Sequence, residues 1–211
     1  MKIRTLLTVV CLLIAGISAT AQEQGFIQSA YDAITKKDYK SAVDYYTKAI
    51  EKHSGYAPSF YGRGLAYSYL EKNQEAISDY TKATELDPNY HQAFYARGLS
   101  NIKAGLTQAG IDDLSKAISL DKNNSDYYYA RANAYTLLNL DDKSLMDYNT
   151  AIELNPKSGL PYYGRAVLNK KEKRGEAAIK DFDKYLELNG NRDGLAKEVQ
   201  RLINEIQKDK E

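Results

Sequence analysis

The sequence predicts an all-α protein, a solenoid of stacked helical hairpins, and three observations predict it. The first is a recurring phrase: Phe60-Tyr61-Gly62-Arg63-Gly64, Phe94-Tyr95-Ala96-Arg97-Gly98, Tyr128-Tyr129-Ala130-Arg131-Ala132 and Tyr162-Tyr163-Gly164-Arg165-Ala166, each 34 residues after the last. A fixed period of this length marks a stacked-repeat architecture. The second is a pair of positions that stay small in all five units of the extended frame, 23–56, 57–90, 91–124, 125–158 and 159–192. Position eight is Ala30, Gly64, Gly98, Ala132 and Ala166, and position twenty is Ala42, Ala76, Gly110, Ser144 and Ala178. Two helices come closest where neither carries a large side chain, so each unit reads as a hairpin crossing there. The third is helical spacing: Phe60, Gly64 and Tyr67 share one face, and Ala76, Ile77, Tyr80 and Ala83 another.

The elements follow in order. Residues 1–21 have the layout of a secretory signal peptide: basic Lys2 and Arg4, an apolar run from Leu6 to Ile17, and Ala19-Thr20-Ala21 before Gln22. The run is shorter than the ~20 apolar residues of a spanning helix. The only cysteine, Cys11, lies inside that run rather than at the cleavage point, which argues against a lipid anchor. Cleavage after Ala21 removes Lys2, Arg4 and no acid, taking the formal charge from +1 to −1, and leaves no cysteine for disulfides. Such a balance gives no electrostatic footprint for nucleic acid or an anionic membrane. The expected location is outside the cytoplasm, in a bacterial periplasm or beyond it.

Within the units, position twenty-four is bulky (Tyr46, Tyr80, Leu114, Tyr148, Phe182), filling the space beside the close crossing. Position twenty-seven is Ala49, Ala83, Ala117 and Ala151, then Tyr185. Pro88 and Pro156 stop second helices, with Lys122 and Gly190 in their place elsewhere. Gly105 and Gly110 mark the third unit as the one expected to be softest. Residues 193–211 begin no sixth unit. Leu195, Val199, Leu202 and Ile206 make an apolar stripe opposite Lys197, Glu198, Arg201, Glu205 and Lys208, with Asp193 as N-cap. That is a capping helix, since repeat arrays need a terminal element with a polar outer face; a docking helix for a partner is the other reading.

Small residues at eight and twenty, aromatics at four, eleven and twenty-four, alanine at twenty-seven and proline at thirty-two resemble the tetratricopeptide repeat, over residues 22–192. Position eleven departs from the pattern at Ala33, Asn101 and Asn169. The resemblance implies a right-handed superhelical solenoid and a protein-interaction scaffold. Against the family pattern, position seven is arginine in four units, and position twenty-three of the same four is aspartate. The expected ion pairs are Arg63–Asp79, Arg97–Asp113, Arg131–Asp147 and Arg165–Asp181. A basic ladder reading an anionic ligand is the alternative for those arginines.

In tetratricopeptide arrays the first helices line the concave surface, with positions two, five, nine and twelve toward the ligand and position six in some families. That implies a groove of Tyr61, Tyr95, Tyr129 and Tyr163 at position five, with Tyr31, Leu65, Leu99 and Asn133 at position nine. Position six (Gly62, Ala96, Ala130, Gly164) would leave shallow gaps beside the rings. Lys103, Lys170 and Lys171 would stand at the far edge. The family's carboxylate clamp is absent, Asn133 being its only match. An aromatic, weakly charged trough suits a peptide or protein segment. Glycan or peptidoglycan binding, and a self-associating structural role in an envelope complex, are the rival readings, and packing alone would also account for the rings.

No enzyme is expected. His53 and His91 lie in inter-unit turns without ligands at metal spacing, and no nucleophile or phosphate-loop motif occurs. No metal or cofactor is implied.

Overall fold

Residues 21–190 and 194–208 are described by the structure, a computed structural model. The signal-peptide segment apart from Ala21, and the N-cap residue Asp193, lie outside the described residues. The described residues form eleven helices and no strand: α1 (21–35), α2 (Tyr39–Lys52), α3 (Ala57–Tyr69), α4 (Asn73–Leu86), α5 (His91–Lys103), α6 (Thr107–Leu120), α7 (Ser125–Leu137), α8 (Asp141–Leu154), α9 (Gly159–Lys171), α10 (Gly175–Asn189) and α11 (Ala196–Lys208). The chain divides into two compact units, Met1–Ala104 and Gly105–Glu211. In the first, α3 packs against α2 and α4, and α4 against α5; in the second, the run α6 to α11 packs neighbour on neighbour.

The hairpins close as the small positions require. Ala42, Ala76, Ala132, Ala166 and Ala178 are fully buried. A Cβ on Gly64 would sit 2.7 Å from the Tyr80 ring, so the glycine at position eight is there to admit the ring at position twenty-four. Where position twenty is a serine, Ser144, its buried hydroxyl is satisfied by Ala132 O at 2.9 Å across the crossing and by Thr136 Oγ1 at 2.7 Å.

Both hairpin turns have a repeated chemistry. After each first helix, position fifteen has positive φ: Lys37 (60°), Glu71 (60°), Gly105 (82°), Asn139 (55°) and Lys173 (58°). The following N–H reaches back to an orphan carbonyl, as Lys72 N does to Tyr67 O at 3.0 Å and Arg174 N to Asn169 O at 2.8 Å. Gly105 therefore occupies a turn position where glycine relieves strain. After second helices, Asp87, Asp121 and Asn155 accept a hydrogen bond from the backbone two residues on, at 2.9, 3.1 and 3.3 Å.

Helix α11 covers the end of the second unit's core. Val199, Ile203 and Ile206 are buried with Phe182 and Tyr185, while Leu195 and Leu202 are only partly so. Its polar side is tied down too, through Glu205, which accepts from Lys170 Nζ at 2.9 Å, and an Arg201–Glu198 pair.

Candidate functional site

The arginines at position seven come first, because they carry the most charge. Arg63 donates through Nε and Nη2 to both oxygens of Asp79 at 2.8 Å each, Arg131 to Asp147 at 2.7 and 2.9 Å, and Arg165 to Asp181 at 2.8 and 2.7 Å. Three aspartates buried between helices each receive a two-pronged guanidinium, the strong form of the pair. Each arginine also donates from Nη1 to position twenty-five of the preceding repeat: Arg63 to Thr47 at 3.1 Å, Arg131 to Ser115 at 2.9 Å and Arg165 to Asn149 at 2.6 Å. Arg97 does the same within the first unit, to Thr81 at 3.3 Å and to Thr84 at 2.9 Å; Asp113 belongs to the second unit.

The position-twenty-five partners were not foreseen from the sequence. Their signal was a small polar side chain (Thr47, Thr81, Ser115, Asn149) recurring where a solvent-facing residue is free to vary. At Arg63 the Asp79 hydrogen bond outweighs burial and raises the guanidinium pKa; at Arg131 burial pulls down and the Asp147 bond and charge more than offset it. Each guanidinium also lies over the ring at position four, 5.3–5.8 Å from the centroid at Phe60, Phe94, Tyr128 and Tyr162. Phe60 alone of those rings is buried; the others form half-exposed shelves for the arginine rather than core. The clefts on this side, lined by Phe60, Arg63 and Asp79 (about 410 Å³) and by Tyr162, Arg165 and Asp181 (about 510 Å³), are floored by these neutralised pairs.

The position-five tyrosines divide their surface between packing and solvent. Tyr61, Tyr95, Tyr129 and Tyr163 are each half-buried. Tyr61 lies 5.9 Å from the Tyr80 ring and 5.0 Å from Tyr90; Tyr129 lies 6.2 Å from Tyr148; Tyr163 lies 6.0 Å from Phe182 and 5.3 Å from Tyr185. Tyr61, Tyr129 and Tyr163 thus each lean on the position-twenty-four ring of their own repeat, in the tilted or edge-on contact such rings prefer. The gaps expected at position six are filled. A Cβ on Gly62 would come within 2.3 Å of Tyr46, and one on Gly164 within 2.6 Å of Tyr148, so the preceding repeat's ring occupies that space.

Position nine is more open. Tyr31 is 60% exposed and meets the edge of Tyr46 at 6.5 Å; Leu99 is 40% exposed, and Leu65 is half-buried. Asn133 is committed to packing, since its Oδ1 accepts from Tyr148 Oη at 2.6 Å. Two edge lysines are committed as well: Lys170 to Glu205, and Lys171 to Asp141 at 2.6 Å and Asn139 at 3.1 Å.

The buried phenols differ in one respect. Tyr80 Oη has Ser68 Oγ at 2.9 Å and Tyr148 Oη has Asn133, but Tyr46 has no hydrogen-bond partner among the described residues. Burial first, then the neighbouring Tyr31 and Tyr61, push the Tyr46 phenol up to about 12. Burial raises Tyr61 too, with Tyr31 and Tyr69 adding to it.

Elsewhere, His53 Nδ1 lies 3.2 Å from Glu23 Oε1, a contact anchoring α1 to the end of α2. Among the described residues no group of three or more His, Cys, Asp or Glu is arranged to hold a metal ion, and no helix is long and apolar enough to cross a membrane.

Comparison with known proteins fits this geometry. Residues 57–90 and 125–158 each match the tetratricopeptide repeat family, with the bounds of the second and fourth repeats. The fold resembles the crystal structure of MamA protein, with TM-score 0.72 and 24% identity, covering 81% of this chain and 93% of that one. It also resembles YrrB, a TPR protein with an unusual peptide-binding site (TM-score 0.69, 22% identity, 83% and 90% covered), and a tetratricopeptide repeat protein from Parabacteroides merdae (TM-score 0.76, 20% identity, 89% and 74% covered). Comparison with curated proteins gives no match. The family match supports a protein-interaction scaffold of a kind that is typically non-catalytic, and these neighbours share its fold.

Proposed function

We propose that this chain, a member of the tetratricopeptide repeat family, is an exported, non-catalytic scaffold that holds a peptide or protein segment against the first helices of its repeats. The observation carrying this reading is the first unit's aromatic face, where Tyr31 and Leu99 are exposed and Tyr61 and Tyr95 stand half-open on α3 and α5. Large amphipathic rings that are rigidly backed lose little entropy on binding, which is why such residues dominate recognition surfaces. The arginines do not compete for this role, because three of them are locked onto buried aspartates. YrrB's peptide-binding site is in keeping with the reading at the level of the fold.

The test is a panel of immobilised peptides probed with the purified protein and with a Tyr31→Ala, Leu99→Ala double variant. Both residues are exposed, so the variant keeps its thermal unfolding midpoint; peptide binding falls at least tenfold. Equal binding by the variant moves the ligand off this face, and binding of a soluble oligosaccharide with no peptide of the panel points to a glycan. Export is tested by N-terminal sequencing of the protein from an envelope fraction, where the reading requires Gln22 as the first residue.

A further inference from the structure

The rule for buried phenols in this fold is that the first helix of the same repeat satisfies them: Ser68 at position twelve for Tyr80, Asn133 at position nine for Tyr148. In the first repeat those positions are Ile34 and Tyr31, and neither satisfies Tyr46. Tyr46 is 4% exposed, so its hydroxyl is an unpartnered polar group on a side chain more than nine-tenths buried. Buried polar groups are nearly always paired, and each exception calls for an explanation. Ser59 Oγ and Asp141 Oδ1 are the fully sealed unpaired side-chain atoms among the described residues; Tyr46 Oη is not one of them, so it opens toward the surface. Tyr31 stands edge-on beside it, and Tyr61 Oη likewise has no bond among the described residues. The first unit thus presents a small set of phenol hydroxyls without acceptors among the described residues.

Resting on the peptide-scaffold reading above, we infer that Tyr31, Tyr46 and Tyr61 form a site for an extended, proline-rich peptide segment, with the Tyr46 and Tyr61 hydroxyls donating to its backbone carbonyls. Three recognition modes compete, and the chemistry separates them. Strand addition needs a free row of backbone donors and acceptors, which helices lack because their own ladder uses them. An amphipathic helix brings an apolar stripe but keeps its carbonyls bonded internally, so it leaves Tyr46 unsatisfied. A polyproline-type segment has no internal hydrogen bonds, exposes its carbonyls, and offers flat apolar rings to aromatic side chains. It alone of the three supplies an acceptor to the phenols and apolar contact to their rings. Charge does not select the ligand, because burial holds the Tyr46 and Tyr61 phenols in the protonated, donating form.

The experiment is calorimetric titration of the purified protein with three probes. One is an uncharged proline-rich decapeptide, another the same peptide with alanine replacing proline, and the last a soluble chito-oligosaccharide. The proline peptide binds, and the alanine peptide binds at least tenfold more weakly. Tyr46→Phe keeps the ring and removes only the hydroxyl, so binding of the proline peptide weakens about fivefold, as it does in Tyr61→Phe, and about twenty-five-fold in the double variant. Tyr148→Phe, in the second unit, leaves binding unchanged. Equal affinity for the alanine peptide, or no effect of Tyr46→Phe, overturns the inference while leaving a peptide scaffold standing. Binding of no probe likewise overturns the inference and leaves the scaffold reading to the peptide panel, whereas binding of the oligosaccharide alone overturns both.

Discussion

Tyr46 in the first unit and Tyr148 in the second hold the same place in the repeat, and both rings are buried against a glycine of the next repeat. Tyr148 donates its hydroxyl to Asn133 at 2.6 Å, whereas Tyr46 has no partner among the described residues. The difference arises one helix away: position nine is Asn133 in the fourth repeat and the exposed ring of Tyr31 in the first. The choice of side chain at positions nine and twelve of a first helix thus decides whether the buried phenol beneath it completes the core or stays available. Identical packing with different satisfaction is how a repeat can be uniform as a scaffold and uneven as a surface.

If that contrast belongs to the first helices, the framework beneath them is equal in both units, and breaking it should cost the same in each. The sharpest cut is the ion pair. Asp79→Ala in the first unit and Asp147→Ala in the second each strand a guanidinium that held two bonds to the carboxylate. Truncating one partner of a buried pair costs about 3–5 kcal/mol, and these arginines keep some solvent contact, so a loss near 3 kcal/mol is expected from denaturant unfolding. A loss under ~1 kcal/mol in one unit alone, the value of an exposed pair, means that the frameworks themselves differ.

The phenols give a smaller and more specific effect. Tyr148→Phe leaves Asn133 without its donor and costs about 1 kcal/mol, while Tyr46→Phe removes a hydroxyl with no bond among the described residues and is neutral or slightly stabilising. High pH adds an independent reading. Tyr46 is raised to about 12, mainly by burial, from an unfolded value near 10, so the folded state favours its neutral form. That contribution is fully present below pH 10 and is lost as pH rises from 10 through 12. Tyr80 and Tyr90 are raised as well, by burial first, so the alkaline loss is shared. Tyr46→Phe should flatten part of it in chemical denaturation series at pH 8 and pH 11; an unchanged slope means that the Tyr46 phenol is not held neutral.

Much of this was written in the sequence because a repeat reports each structural requirement five times. The small residues at positions eight and twenty encode the helix crossing, and paired Arg and Asp appear in the same four repeats and are missing from the first, where Ser29 and Tyr45 stand instead. What single positions could not reveal is which neighbour fills a gap. Gly62 reads as space beside a ligand, and only the backbone shows that Tyr46 comes from the previous repeat to occupy it. Asn133 reads as a ligand contact, and its use by Tyr148 depends on a ring fifteen residues later. Position twenty-five is illegible for the same reason, since Thr47 and Ser115 gain their partner only from the next repeat's arginine.

The smallest effect separates side-chain causes from backbone ones. Glu71 in the first unit and Lys173 in the second sit at φ 60° and 58° in the same turn, a left-handed conformation that costs an L-residue about 1–2 kcal/mol. Glycine pays no such penalty but loses more entropy on folding, so Glu71→Gly and Lys173→Gly should each gain about 0.5–1 kcal/mol. Asn139, at 55°, is the residue type that tolerates this region, and Asn139→Gly should be close to neutral. Gly105→Ala, at 82°, should lose about 1 kcal/mol. Equal gains at Glu71 and Lys173 in urea unfolding would mean that the turns carry the same tension in both units, leaving the Tyr31–Asn133 exchange as the source of the unequal faces. A gain confined to Glu71 would instead trace the open phenols of the first unit to backbone strain in its turns.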